Sequence, residues 1–260
     1  MARHLLSIMV FTPALAAIVQ AIMDPKKTGG LAIGRWISFV ASASAGILGI
    51  FIVARVDPNQ ALYAVSESAA WMGSYSIAYE MGVDGLSAIP ILLVSILFPV
   101  LIAFEWERKS GARGMHGLLL LLQTALLGAL CAQDLFLLFF FWAMSVLPVY
   151  FLIGIWGGEG RETAAFRSII SASVGNALFF SALILVYYSV DPHTFSLRGL
   201  SQARLDEKVV VIMGRDFHVS RLAFLLVCGG LVLRTPILPF HCWFTSVCRE
   251  APPSVAVALA

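Results

Sequence analysis

The chain is poor in charge. Only 12% of its 260 residues are Asp, Glu, Lys or Arg, against about a quarter in an ordinary soluble domain. The formal net charge of +2 is too weak for a nucleic-acid footprint. Its four cysteines, Cys131, Cys228, Cys242 and Cys248, form no C-x-x-C pair, so zinc and iron–sulfur sites are not expected. Cys131 and Cys228 sit in apolar runs, where cysteine acts as a small hydrophobe. There is no Gly-rich phosphate loop, no haem or flavin motif, no nucleophile–base constellation, no internal repeat and no charged soluble domain. These absences leave little room for a soluble enzyme.

Apolar residues are abundant. They make up 60% of the sequence, and mean hydropathy is +0.90. A spanning helix needs roughly 20 mainly apolar residues. About seven runs approach that length: Leu5–Met23, Trp36–Ala54, Gly85–Phe104, Leu118–Ala132, Leu135–Trp156, Ile169–Val190 and Leu222–Phe240. Another begins at Ala251 and reaches Ala260. The first run follows Arg3 and His4 but has no clear cleavage site, so it reads as a span and not a signal peptide. The fourth run is short, and only Gln133–Asp134 separates it from the fifth, which predicts a tight antiparallel helix pair.

The fold class expected is an all-α polytopic membrane bundle of about seven or eight spans, with a broken seventh helix. Loops 24–35, 105–117 and 157–168 hold Lys26, Lys27, Arg35, Arg108, Lys109, Arg113, Arg161 and Arg167; Arg249 lies in the last polar segment. Alternate loops share a side, which the positive-inside rule makes cytoplasmic. The N-terminus, loop 55–84, Gln133–Asp134 and loop 191–221 then lie outside. The last carries five Lys or Arg, mixed with Asp191, Asp206, Glu207 and Asp216.

Polar residues inside apolar runs are the candidates for function. Arg234, in "GGLVLRTPILPFHCW", is the most expensive. Even on lenient scales, a charge at mid-bilayer costs at least about 2.5–3.5 kcal/mol. Pro236 removes a backbone donor and clashes with the preceding turn, so the helix should kink or break beside it. A charge at a helix break marks an ion pathway; the bland alternative is snorkelling toward the interface near His241. His241 can relay protons near neutral pH or simply bond a carbonyl at the interface. Pro148 breaks the fifth run and frees the Met144 carbonyl, next to Ala143. Asp134 and Asp84 read as helix caps. Asn176 reads as glue between helices.

The motifs then become specific. "VDGLS" at 83–87, "DLFLLFFFW" at 134–142, "LPVYFLIGIWGG" at 147–158, "RTPILPFHCW" at 234–243 and "APPSVAVALA" at 251–260 follow one another in order. Over roughly 80–260 the chain resembles the antiporter-like membrane subunits of respiratory complex I, the M or chain 4 type of NADH–quinone oxidoreductase. That family also includes Mrp cation/proton antiporter subunits and hydrogenase membrane subunits. The resemblance implies a bundle of about fourteen spans with broken helices, carrying a midplane series of charged residues that translocates protons coupled to quinone reduction. It divides the chain into 1–80, N-terminal spans and a loop, and 81–260, an antiporter-like domain incomplete at its C-terminus.

The family's fifth-helix glutamate falls at Ala143, which cannot exchange a proton. Its sixth-helix lysine falls at Arg167 and its seventh-helix lysine at Arg234, with His241 retained. The usual "LPDAH" reads "FTSVC" here. Arginine stays protonated in a protein, so these are not conservative exchanges. The resemblance implies a multi-pass protein of the cell inner (cytoplasmic) membrane. Its partners would be the bilayer and other membrane subunits of a complex I-like or antiporter assembly. Quinone would be met only through the complex, with no nucleic acid and no cofactor in this chain. It would be a translocase only as a non-redox subunit. A degenerate structural or assembly paralogue, and an ion or inorganic-carbon transporter subunit on the same fold, are the alternatives.

Overall fold

A computed structural model describes residues 4–23, 30–56, 65–108, 111–203, 205–212 and 215–259. In chain order the helices are α1 (Leu5–Ile22), α2 (Gly30–Val53), α3 (Gly85–Phe104), α4 (Ala112–Cys131), α5 (Leu135–Met144), α6 (Val146–Trp156), α7 (Arg161–Ser189), α8 (Leu197–Gln202), α9 (Val219–Arg234), α10 (Cys242–Glu250) and α11 (Pro253–Leu259). Two antiparallel hairpins lie in the expected loops: β1 (Val65–Met72) with β2 (Ile77–Val83), and β3 (Val209–Ile212) with β4 (Arg215–His218). The apolar-run reading contained no strands, so both hairpins are additions to it.

Among the described residues, six segments are long and apolar enough to cross a membrane: α1, residues Ala32–Val53 of α2, α3, α4, Leu135–Trp156 across α5 and α6, and α7. Two boundaries differ from the apolar runs. α4 starts at Ala112, because Arg113 and His116 belong to its first turns, so it is a full 20 residues. α7 starts at Arg161 and runs 29 residues. The seventh run is split as expected. α9 ends at Arg234 after 16 residues, which at 1.5 Å per residue gives about 24 Å, short of the roughly 30 Å hydrocarbon core.

α4 is the centre of the bundle. About 61% of its apolar window is buried, against 28–39% for the other five. By contrast, α3 exposes Leu86, Ile89, Leu93, Ile96, Val100 and Phe104. These fall three or four apart, on one helix face. Such an apolar stripe would be a liability in water and is the normal face toward lipid.

Contacts fix which loops share a side. The Leu6 amide donates to Glu67 Oε1 (2.6 Å), and Ser7 donates to Glu67 Oε2 through both its amide (3.2 Å) and its hydroxyl (2.5 Å). Glu67 of β1 thus caps the start of α1, where orphan amides and the positive helix end favour a carboxylate. On the same side, Gln133 N donates to Glu80 O (2.8 Å), Leu135 N to Phe195 O (2.9 Å) and Ser196 Oγ to Glu80 Oε2 (2.8 Å). The N-terminus, loop 55–84, the Gln133–Asp134 turn and loop 191–221 therefore meet, as the charge pattern requires. On the opposite side Arg35 donates to Arg108 O (2.8 Å), Arg113 to Met23 O, Gly160 N to Glu250 Oε2 (2.9 Å) and Ser254 Oγ to Glu105 Oε1 (2.6 Å). Lys26, Lys27, Lys109 and Arg204 lie outside the described residues.

The expected caps are present. Asp84 and Ser87 form a reciprocal capping box on α3. Asp134 accepts from Phe136 N (2.9 Å) and Leu137 N (3.1 Å) at the start of α5. Burial pushes the Asp134 carboxyl above its ordinary value, against the pull of those amides.

Candidate functional site

Two interrupted helices face each other across α7. The first interruption is Ser145, between α5 and α6. Pro148 is the third residue of α6, and its missing N–H leaves the Met144 carbonyl without the usual partner. The second separates α9 from α10. Thr235 ends α9 in an extended conformation (φ −89°, ψ 144°), Pro236 follows, and two tight turns lead to α10. The peptide between Leu238 and Pro239 is cis.

α9 is held here by close contact with α7. A Cβ on Gly175 would lie 2.8 Å from the Gly230 carbonyl oxygen, and one on Gly230 would lie 2.7 Å from the Gly175 oxygen. The two backbones therefore touch, the small-residue contact typical of membrane helices. Ser171 Oγ also donates to Leu233 O.

Arg234, the last residue of α9, points into the gap. Its Nη1 donates to Trp142 O (2.9 Å) and to Asn176 Oδ1 (3.1 Å), and its Nη2 donates to Ser145 Oγ. The guanidinium carbon stands 4.3 Å from the centre of the Trp142 ring, a cation–π contact. No described carboxylate pairs with it. Of the two readings open to Arg234, the structure has the inward one: the side chain bonds α5, α7 and the α5–α6 break, not the interface near His241. Asn176 takes the expected gluing role, and its ligand is this arginine.

The remaining candidates gather on α10. His241 is its N-cap residue, and its Nδ1 is buried without a hydrogen-bond partner. Arg167, exposed on α7, donates to Ser246 Oγ of α10 (3.0 Å). Arg167 and Arg234 do not touch, and α10 lies between them. Ala143 sits between Trp142 and Ser145, two of the residues that bind Arg234. The sequence missed Trp142, Ser145 and Trp243, which borders Arg234 in a small cavity. Among the described residues, no group of three His, Cys, Asp or Glu side chains could hold a metal ion.

The fold and site define a class: a polytopic helical membrane protein of the antiporter-like kind, with a cation at the end of a broken helix. Residues 132–260, just under half of the chain, match the family described as NADH:quinone oxidoreductase/Mrp antiporter, transmembrane. It is 27% identical over 276 residues to NADH-quinone oxidoreductase subunit M of Rhodobacter capsulatus, covering 99% of this chain and 50% of that protein. It is also 27% identical over 250 residues to F(420)H(2) dehydrogenase subunit M of Methanosarcina mazei, covering 95% and 48%. Among solved structures, a chain of respiratory complex I from Thermus thermophilus superposes with a TM-score of 0.78 at 22% identity, over 98% of this chain and 49% of that one. A chain of the Mrp complex from Dietzia sp. DQ12-45-1b also gives 0.78, at 19% identity, over 98% and 26%. The chain spans about half the length of the relatives it matches.

Proposed function

We propose that this chain is a membrane subunit of an NADH–quinone oxidoreductase-like complex and contributes to proton translocation coupled to quinone reduction. It lies in the cell inner membrane beside other membrane subunits, meets quinone only through the complex, and holds no redox cofactor itself. Residues 81–260 form its translocating part. The observation that carries this reading is Arg234, fixed at a helix break between two interrupted spans in a chain of this family.

The chemistry differs from a lysine relay. A guanidinium keeps its proton, so Arg234 serves as a fixed positive charge that orients water in the break and repels other cations. His241, seven residues further on, is the group that takes up and releases the proton, because its ring Nδ1 is buried without a hydrogen-bond partner. Arg167 positions the inner end of α10 through Ser246. Ala143 gives Arg234 no carboxylate to pair with.

The test uses inverted membrane vesicles containing the intact complex. Arg234→Ala and His241→Ala should each abolish NADH-driven acidification, read with a pH-sensitive dye, while leaving electron transfer to quinone measurable. Full acidification with Arg234→Ala would remove that residue from the pathway. A complex that assembles and pumps without this chain would remove the whole reading.

A further inference from the structure

The acceptors that bond Arg234 are all neutral. A cavity of about 40 Å³ lies beside it, lined by Val146, Val149, Ser168, Ala172, Arg234, Trp243 and Leu259. One water needs roughly 10–15 Å³ on the same scale, so the space suits one small ion or a few waters. No Asp or Glu lines it. Trp243, which does, has its indole Nε1–H buried without an acceptor. Arg234 has five N–H groups, and its three protein bonds leave two unused. Those three bonds go to neutral groups, and the stacked Trp142 ring is neutral too. A cation inside a bundle, with no carboxylate to balance it, is costly.

We infer that this cavity binds a small monovalent inorganic anion of halide size, held by the guanidinium of Arg234 and the indole N–H of Trp243. The anion supplies the negative charge that Ala143 does not. The site shares Arg234 with the translocation reading but does not rest on it, because anion binding needs no proton transfer.

The experiment takes the full chain in lipid nanodiscs and compares thermal unfolding in chloride, bromide and gluconate at equal ionic strength. A several-fold excess of halide over its Kd should raise Tm by about 2–4 °C relative to gluconate. Crystals grown in bromide should show an anomalous peak in the cavity beside Arg234. Arg234→Gln should abolish both signals, and Trp243→Phe should weaken halide binding at least about tenfold, the loss of one hydrogen bond to a charged group. Should Arg234→Gln fail to fold, Trp243→Phe carries the test. Equal Tm in all three salts with no bromide peak would overturn the site, leaving a cavity filled with water. So would signals that survive Trp243→Phe unchanged, which would mark an adventitious ion only. A complex that fails to pump yet shows the bromide peak leaves the anion site standing, and one that pumps without it removes only the site.

Discussion

The two helix interruptions are built from similar materials and behave differently. The α5–α6 break is one residue wide, and Ser145 keeps near-helical angles (φ −66°, ψ −19°). Its hydroxyl returns to Trp142 O (2.8 Å), so the bend stays closed and neutral. The α9–α10 break runs from residue 235 to 241, with two prolines and a full charge at its edge. Proline alone does not make the difference: α1 carries Pro13, and α3 carries Pro90 and Pro99, without interruption. An open break forms where proline and charge coincide and a neighbouring helix supplies acceptors.

The comparison can be broken most forcefully at Arg234. Arg234→Ala takes the donor from Asn176 Oδ1 and leaves Trp142 O with the Ser145 hydroxyl alone. A group left unpaired costs about 1–3 kcal/mol, so the lost stability should exceed the effect of a change at Ser145, read by thermal unfolding in lipid. Next is Gly175→Val, which forces α7 and α9 apart where their backbones touch. Overpacking of this kind costs about 1–3 kcal/mol, and the variant should also lose vesicle acidification, because Arg234 moves with α9. Introducing Ala143→Glu should couple to Arg234. In a double-mutant cycle with Arg234→Ala, the glutamate should be better tolerated when the arginine is present, by about 1 kcal/mol. Additivity of the two changes would separate Ala143 from the site. Ser145→Ala removes one hydroxyl and should cost about 0.5–1.5 kcal/mol. Pro148→Ala is expected to be smallest, under about 0.5 kcal/mol, because the third residue of a helix needs no intrahelical donor. A large loss there would show that the proline, and not Ser145, sets the narrow break.

Much of the fold could be read from hydropathy because a bilayer demands that every spanning segment bond its own backbone. That rule turns apolar runs into helices, and six of them are present among the described residues. Its blind spots have the same origin. Arg113, His116 and Arg161 sit in the first turns of α4 and α7, near the interface where charge is cheap, so apolarity alone starts those helices too late. The hairpins lie outside the bilayer and follow no membrane pattern. Arg234 was visible because burying it is expensive. Its partners were not: a backbone oxygen such as Trp142 O has no sequence signature, and the register that brings Asn176 and Ser145 to one guanidinium is set by the Gly175–Gly230 contact between distant segments.

The carboxylate of Glu67 has a consequence in time. It serves the first turn of α1 from 61 residues downstream of Leu6. During synthesis, α1 and α2 must both be made before that residue emerges. Until then the leading amides of α1 have only water or lipid headgroups to bond. α1 is thus made before α2 but finished after it, and its final seating awaits the arrival of the hairpin.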